Sequence, residues 1–539
     1  MAVQDIKINQ FIELRNMFKY HIDAYIALYQ LKTEKEEELN SIYNMIKTEL
    51  IDSRKYCPNN IIRDILFIIP YNNRYTKSYL YLAKLITNDY HIKEVNHINH
   101  ISNLLFYKEY GIKINNEDDF ENLKSLNILN ENTIYRAIMY NDIEMFIAFI
   151  EKEGFDENQR LQSKLYPDSK KGYTLLELCC YYGAVDCFKF LRSKFNSEIT
   201  QKCLKFSFLG KNPEIMSECL KYQEINYKIM KYAIISHNID FIAFLMNEHQ
   251  LDPDIVSCGT YNNLESFLIY FLRTNNINKC FITSKMFNAP SVCEYFLTLG
   301  ADVNIKDREG NTALHIASFF DSKEMAEFLL LHGANINVRD KYGETALHIA
   351  AYNNSKETTE LLIAHGANVN EKNELEETAL HCAASNNSKE TAEFLLSHGA
   401  NINDKNYDGE TALHSAAAWN CKEVAELLLS YGANNNEKDK NGGTPLHKAA
   451  KCGREEVAKL LLSYGANNNE KDKNGKTALH YAVENNKREM TEFLYYHHAN
   501  INEKDNYGKK ALHYAVCNKH NEIARFLISH GSNNNCRIL

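Results

Sequence analysis

The sequence predicts an all-α fold: a solenoid of helix–turn–helix units with a hairpin-like loop between them, preceded by an irregular α-helical half. Three observations carry this reading. Thr-x-Leu-His recurs at Thr312, Thr345, Thr378, Thr411, Thr444 and Thr477, and "KALH" follows at Lys510, each start 33 residues after the last. In the same register run Gly300, Gly333, Gly366, Gly399, Gly432, Gly465, His498 and Gly531. Two independent series with one period define a repeat. Before the repeat, apolar residues keep helical spacing between short polar breaks.

Bulk composition narrows the class. A chain of 539 residues is too long for one core, and only 7 Pro and 21 Gly argue against long disordered linkers. A net charge of −9 gives no global attraction to nucleic acid or anionic membrane, so neither is expected as a partner. The N-terminus lacks the unbroken apolar run of a secretory signal, and no stretch approaches the roughly 18 apolar residues of a membrane span. A cytoplasmic location is expected. Fourteen cysteines carry no C-x-x-C spacing; Cys179, Cys180 and Cys187 sit in an apolar helical pattern and read as core thiols.

In chain order, residues 1–130 form an N-terminal helical region, with long amphipathic stretches in "IKINQFIELRNMFKYHIDAYIALYQL" and "EKEEELNSIYNMIKTELI". Shorter helix pairs occupy 131–290. "IYRAIMYNDIEMFIAFI", "LLELCCYYGAVDCFKFL", "KFSFLGKNPEIMSECL" and "AIISHNIDFIAFLM" share one shape, an apolar helix, a polar break and a second apolar helix. Regular repeats fill 291–539.

Each regular unit follows from its residues. Thr312 is a helix N-cap, and "ALHIA" opens a short helix. That helix is expected to stop near Asp321, where later copies carry Asn354, Asn387, Asn420, Gly453 and Asn486, residue types that tolerate a left-handed turn. "KEMAEFLLLHG" is a second amphipathic helix, with Met325, Ala326, Leu329 and Leu330 on one face and a stop at Gly333. "ANINVRDKYGE" then makes a protruding turn. No unit can bury its apolar face alone, so the units must stack.

"DREGNTALHIA", "KNGGTPLHKAA" and "GADVN" resemble the ankyrin-repeat signatures, over about residues 291–535. The resemblance implies an ankyrin-repeat solenoid, a curved stack whose loops project from the helix pairs. Departures are Ala in place of Pro except at Pro445, Asn373 and Asn406 for the loop Asp, Glu376 for the loop Gly, and His498 for the helix-ending Gly. The third loop and the last loops are expected to be the weakest or most altered. Residues 131–290 look like decayed ankyrin units. About 199–275 resemble an uncharacterised helical domain that precedes regular ankyrin repeats in expanded families of protozoan parasite proteins, which implies company rather than activity.

The recurring histidines, His315 to His513, sit one per unit, roughly 10 Å apart, too far to share one metal's ligand shell. The resemblance assigns them hydrogen bonds to the Thr and the adjoining loop. No phosphate-binding loop, zinc-protease or nucleophile-elbow motif occurs, so no enzyme, cofactor or metal is expected. His97 and His100 at i, i+3 read as surface residues, and the "EKDKNGG" and "EKDKNGK" loops as solvated. The stack runs to Leu539, and no adaptor box is expected after it.

Recognition remains. The family architecture places the variable positions, loop tips and the outer side of the first helix, along a concave face. These are Arg308, Glu309, Phe319, Phe320, Lys341, Tyr342, Tyr352, Asn353, Glu374, Leu375, Tyr407, Trp419, Lys440, Lys451, Lys473 and Tyr507. Aromatics and Arg are enriched at binding hot spots, and Trp419 is the only Trp. The expected function is a monomeric, non-enzymatic scaffold or adaptor for a protein partner. A parasite effector or membrane-skeleton linker is a second reading. An enzyme within 1–290 is a third, to be recognised by a deep polar pocket.

Overall fold

The computed structural model describes residues 2–53, 56–92, 95, 98–112, 114, 132–167, 171–287 and 289–532. It is helical throughout; among the described residues an isolated bridge between Leu161 and Tyr173 is the only β pairing. The chain divides into two units, Met1–Ala301 and Asp302–Leu539. The expected boundary near residue 130 and His97 lie outside the described residues.

The second unit consists of helix pairs in register with the sequence period. Ala313–Phe319 with Lys323–Leu331 is followed by Ala346–Tyr352 with Lys356–Ala364, and so on to Ala511–Cys517 with Asn521–Ser529. First helices pack on the first helices of neighbouring pairs, and second helices on second helices. Small residues make this close stacking possible: Ala313, Ala317, Ala346, Ala350 and their equivalents are buried. Asp321, Asn354, Asn387, Asn420, Gly453, Asn486 and Lys519 all take positive φ between the two helices, as the residue types foretold for all but the last.

Glu376 and His498 adopt φ of +58° and +69°, so the period fixes the left-handed turn even where the side chain opposes it. The expectation of an altered third loop is therefore corrected. Asn373 Oδ1 accepts the N–H groups of Leu375 and Glu377 at 2.9 Å, the same bonds that Asp340 Oδ1 makes with Tyr342 and Glu344. An amide oxygen replaces a carboxylate oxygen without change of geometry.

From Leu175 onward the first unit repeats the pair motif without the protruding loop. Leu175–Tyr182 with Val185–Phe195, Gln201–Gly210 with Pro213–Tyr222, Tyr227–Ile235 with Ile239–His249, and Ile255–Thr260 with Leu264–Thr274 each enclose a positive-φ residue: Gly183, Lys211, His237 and Asn262. The first helices stack in order. Residues 223–226, 250–254 and 275–276 link successive pairs, against 332–345 in the second unit. Cys179, Cys180 and Cys187 are fully buried thiols, as expected.

The first long amphipathic stretch holds two helices, Ala2–Met17 and Lys19–Tyr29. The break falls at Phe18, which is buried edge-on against Tyr295. The end of the second of these helices and residues 58–75 lie across the ends of the stacked first helices. Tyr29 stacks on His237 at 4.1 Å, Tyr181 Oη donates to the Pro70 carbonyl at 2.9 Å, and Tyr182 Oη donates to Asn73 Oδ1 at 2.6 Å. The first unit thus covers its own row of helix ends.

Candidate interaction surface

The histidines settle what is architecture. Thr312 N–H and Thr312 Oγ1 both lie within hydrogen-bond distance of His315 Nδ1, at 3.2 and 2.9 Å. A backbone N–H can only donate, so Nδ1 is the acceptor and the ring proton sits on Nε2. Nε2–H then donates to the Glu344 carbonyl of the next loop at 3.2 Å. The same chain of bonds recurs at His348, His381, His414, His447 and His480. Each imidazole ties a helix start to the following loop. Burial lowers the pKa of His348, His414, His447 and His480, and brings that of His381 to about 4. The neutral ring is what this geometry requires.

Loops are stitched directly to loops. Lys341 N–H donates to the Glu309 carbonyl, Glu374 to Tyr342, Tyr407 to Leu375, Lys440 to Asp408, and Lys473 to Asn441, at 2.8–3.1 Å. This ladder sets the tip side chains side by side. Lys440 Nζ lies 4.0 Å from the Tyr407 ring centre, Lys341 Nζ lies 4.9 Å from that of Tyr342, and Lys341 pairs with Glu309. Tyr342, Leu375, Tyr407 and Tyr507 are exposed, as are Arg308, Glu374, Lys440 and Lys473.

A second row lies at the far end of the first helices, roughly 10–12 Å away along an eight-residue helix. Trp419 closes Ala412–Trp419 with 66% of its surface exposed, and among the described residues no aromatic or cationic group stacks on its ring. Tyr352 and Lys451 are exposed in the same row. Phe319 and Phe320 are half-buried and pack edge to face at 4.9 Å. Asn353 must be removed from the surface set: it is buried, with Nδ2 donating to the Ile349 carbonyl. Its neighbour Tyr352 takes the outward position on the helix.

Between the two rows lie residues not singled out from the sequence. Ile316, Ile349, Lys448, Tyr481 and Tyr514 occupy one position, four after the Thr or Lys that starts each helix, and are partly exposed. Glu344, Glu377 and Glu410 precede three successive starts, while Lys476 and Lys509 precede the last two. Lys448 bonds Glu410 and Asp439, and Tyr481 Oη donates to Asp472 Oδ2 at 2.8 Å. Burial, then the charges of Asp340 and Glu377, raise the Glu344 carboxyl to about 7. The signal that could have found these residues is the period itself, since this position varies while its neighbours repeat.

The first unit holds a polar cavity of about 240 Å³ where the N-terminal helices cross the helix ends. Lysine, arginine, tyrosine and amide groups line it, and no carboxylate, imidazole or thiol does. Among the described residues no helix is long and apolar enough to cross a membrane.

Comparison with protein families matches residues 195–270 to a family described as Domain of unknown function (DUF3447). Residues 281–373, 366–439, 408–472, 429–505 and 467–538 match the family described as Ankyrin repeats (3 copies). Comparison with curated proteins gives no match.

Proposed function

The chain is an ankyrin-repeat protein with a domain of unknown function before its repeats, and from that premise we propose that its second unit is a non-enzymatic scaffold for a protein partner. The partner lies across the loop tips and first-helix ends, where Arg308, Lys341, Tyr342, Tyr352, Leu375, Tyr407, Trp419, Lys440, Lys451, Lys473 and Tyr507 meet it, with Phe319 and Phe320 at the edge. Ankyrin repeats are generally protein–protein interaction modules, which supports the class of partner.

One observation carries the reading. The helix-end row is built alike in both units and treated oppositely. In the first unit Tyr182, His237 and Tyr261 of that row are nearly fully buried beneath the chain's own N-terminal helices. In the second unit Tyr352 and Trp419 of that row stay in water. Large aromatics left exposed, two repeats apart in one row, are a hydrophobic cost that a partner removes. The charge order, Glu344–Glu377–Glu410 and then Lys440–Lys473–Lys476, orients a partner whose basic end faces the earlier repeats. In this reading the protein acts as a cytoplasmic monomer.

The test is site-specific photo-cross-linking in full-length protein. A photoreactive side chain at Tyr407 or Trp419 should trap one partner that the same group at Glu426, exposed on a second helix, does not. Cross-links formed from Glu426 and absent from the other two positions would move the interface to the opposite side.

A further inference from the structure

We propose that the cavity in the first unit, between residues 29–32 and 68–75 and the helix ends at 181–182, 209–211 and 235–236, binds a small polyvalent anion of the phosphate class. Lys32, Arg74 and Lys211 line it, and no acidic residue does. None of the three forms an ion pair with an acid among the described residues, although the chain has 70 acidic residues against 61 basic ones. Three cations around a void without a counter-charge are an arrangement that a bound anion explains.

Arg74 supplies the most specific evidence. One Nη2–H donates to the Tyr182 carbonyl at 3.0 Å, and the guanidinium lies over the rings of Tyr182 and Tyr140, 5.4 and 5.8 Å from their centres. That packing fixes the plane of the fork. Nε is shielded beneath this packing and has no partner among the described residues. The fixed guanidinium lines the cavity, and a phosphate group is the anion that its planar charge fits best. Lys211 adds a second oriented charge. Burial, together with the nearby Lys32, lowers its pKa to about 8, so an ammonium there is held at a disadvantage that an anion reverses.

Helix termini offer a competing explanation. Leu175–Tyr182, Gln201–Gly210 and Tyr227–Ile235 all end at the cavity, and each carbonyl end carries a partial charge of about −0.5 that favours cations. That explains one contact, the Arg74 bond to Tyr182. It does not account for the lysines, since among the described residues neither Lys32 nor Lys211 Nζ donates to a carbonyl of these ends. A volume of about 240 Å³ admits a phosphate with a small organic body, and no macromolecule.

The experiment uses the full-length protein and inorganic pyrophosphate as probe. Pyrophosphate should raise the thermal midpoint saturably above a sodium chloride control of equal ionic strength, with a dissociation constant measurable by calorimetry. Lys211→Gln and Arg74→Gln should each weaken binding by about tenfold or more. Lys211→Gln is the safer variant, because Gln250 already occupies the same kind of left-handed helix end, and its own midpoint without probe should be unchanged or higher. A second arm offers vesicles of neutral lipid with and without a phosphorylated inositol headgroup. Binding confined to the phosphorylated vesicles and lost in Lys211→Gln assigns the phosphate to a lipid; binding of free pyrophosphate assigns it to a soluble ligand. No saturable effect of either probe on the wild type, or equal affinity in wild type and Lys211→Gln, overturns the proposal.

Discussion

Asp321 Oδ1 accepts the backbone N–H of Thr358 at 2.9 Å, so the residue that ends a first helix caps the second helix of the following unit. Asn354 does the same for Thr391, and Asn387 for Val424. The second helices have no side-chain cap of their own, so this bond between units replaces a local one. Left-handed backbone and capping oxygen come from one side chain, which is why Asn serves so well here.

Asp321 pays for its charge at this place, and Asp321→Asn tests it. Burial raises its carboxyl pKa, against the lowering effect of the Thr358 bonds. A carboxyl whose folded pKa exceeds the unfolded 3.8 binds more protons in the folded state. Stability therefore falls as pH rises from the unfolded to the folded value, and stays lower above it. The Asn variant should have the higher urea midpoint near neutral pH and no advantage below about pH 3.8. An advantage of the wild type at neutral pH would show that the helix N-terminus compensates the charge fully.

Glu376→Gly should raise stability by about 1 kcal/mol. Glu376 has φ +58°, where the other loops carry Gly. Space is also short: a Cβ added at Gly343 or Gly409 would lie 2.7–2.8 Å from the next loop's backbone nitrogen. The Leu375–Tyr407 backbone bond survives at 2.8 Å, so the third loop meets both demands with a side chain unsuited to them. A higher urea midpoint with unchanged denaturant slope is the expected result, and a fall would show that the Glu376 side chain contributes contacts worth more than the turn costs.

The left-handed positions show how far the sequence reaches. Asn354 or Gly453 announces its turn by residue type, whereas Glu376, His498 and Lys519 do so only through the period. Position within the repeat outweighs local preference because neighbours on both sides impose the backbone. Asn353 shows the limit: the period located the helix end, and only the three-dimensional helix decides that Tyr352 faces water while Asn353 turns inward. The covering of the first unit was not legible. Tyr182 bonded to Asn73, or Lys32 near Lys211, joins residues more than a hundred apart with no period to relate them.

Acid should loosen the array through its histidines. The depressed pKa values mean that the folded state binds fewer protons than the unfolded chain below about pH 6.5. Their contribution is complete above that pH and is lost as pH falls through the folded values. For His381, at about 4 against 6.5, the loss is roughly 3 kcal/mol by pH 4. Urea midpoints should therefore fall between about pH 6.5 and 4, and His381→Gln should flatten that slope. A slope unchanged by the variant would place the acid sensitivity elsewhere.

Glu344 acts in the opposite sense. Its carboxyl, raised to about 7 by burial and then by Asp340 and Glu377, destabilises the folded state as pH rises from the ordinary carboxylate range through 7. Glu344→Gln should be more stable than wild type at about pH 8 and equal to it near pH 4.5, as read by thermal midpoint. Equal stability at both would mean that Glu344 relaxes into water.

Trp419→Ala separates recognition from packing. With 66% of its surface exposed and no ring stacked on it among the described residues, Trp419 contributes little that the fold needs, so the variant's thermal midpoint should stay within a few degrees of wild type. As a central anchor it should carry much of the binding: truncating such a residue typically costs about 2 kcal/mol or more, roughly a thirtyfold loss of affinity. Glu426→Ala, exposed on the second helix of the same unit, should change neither quantity. The two measurements must be made on the same preparations, because a partner lost only in proportion to unfolding would make Trp419 a packing residue after all. A stable variant that binds its partner normally would remove the helix-end row from the interface and leave the loop-tip ladder around Tyr407 and Lys440 to account for it.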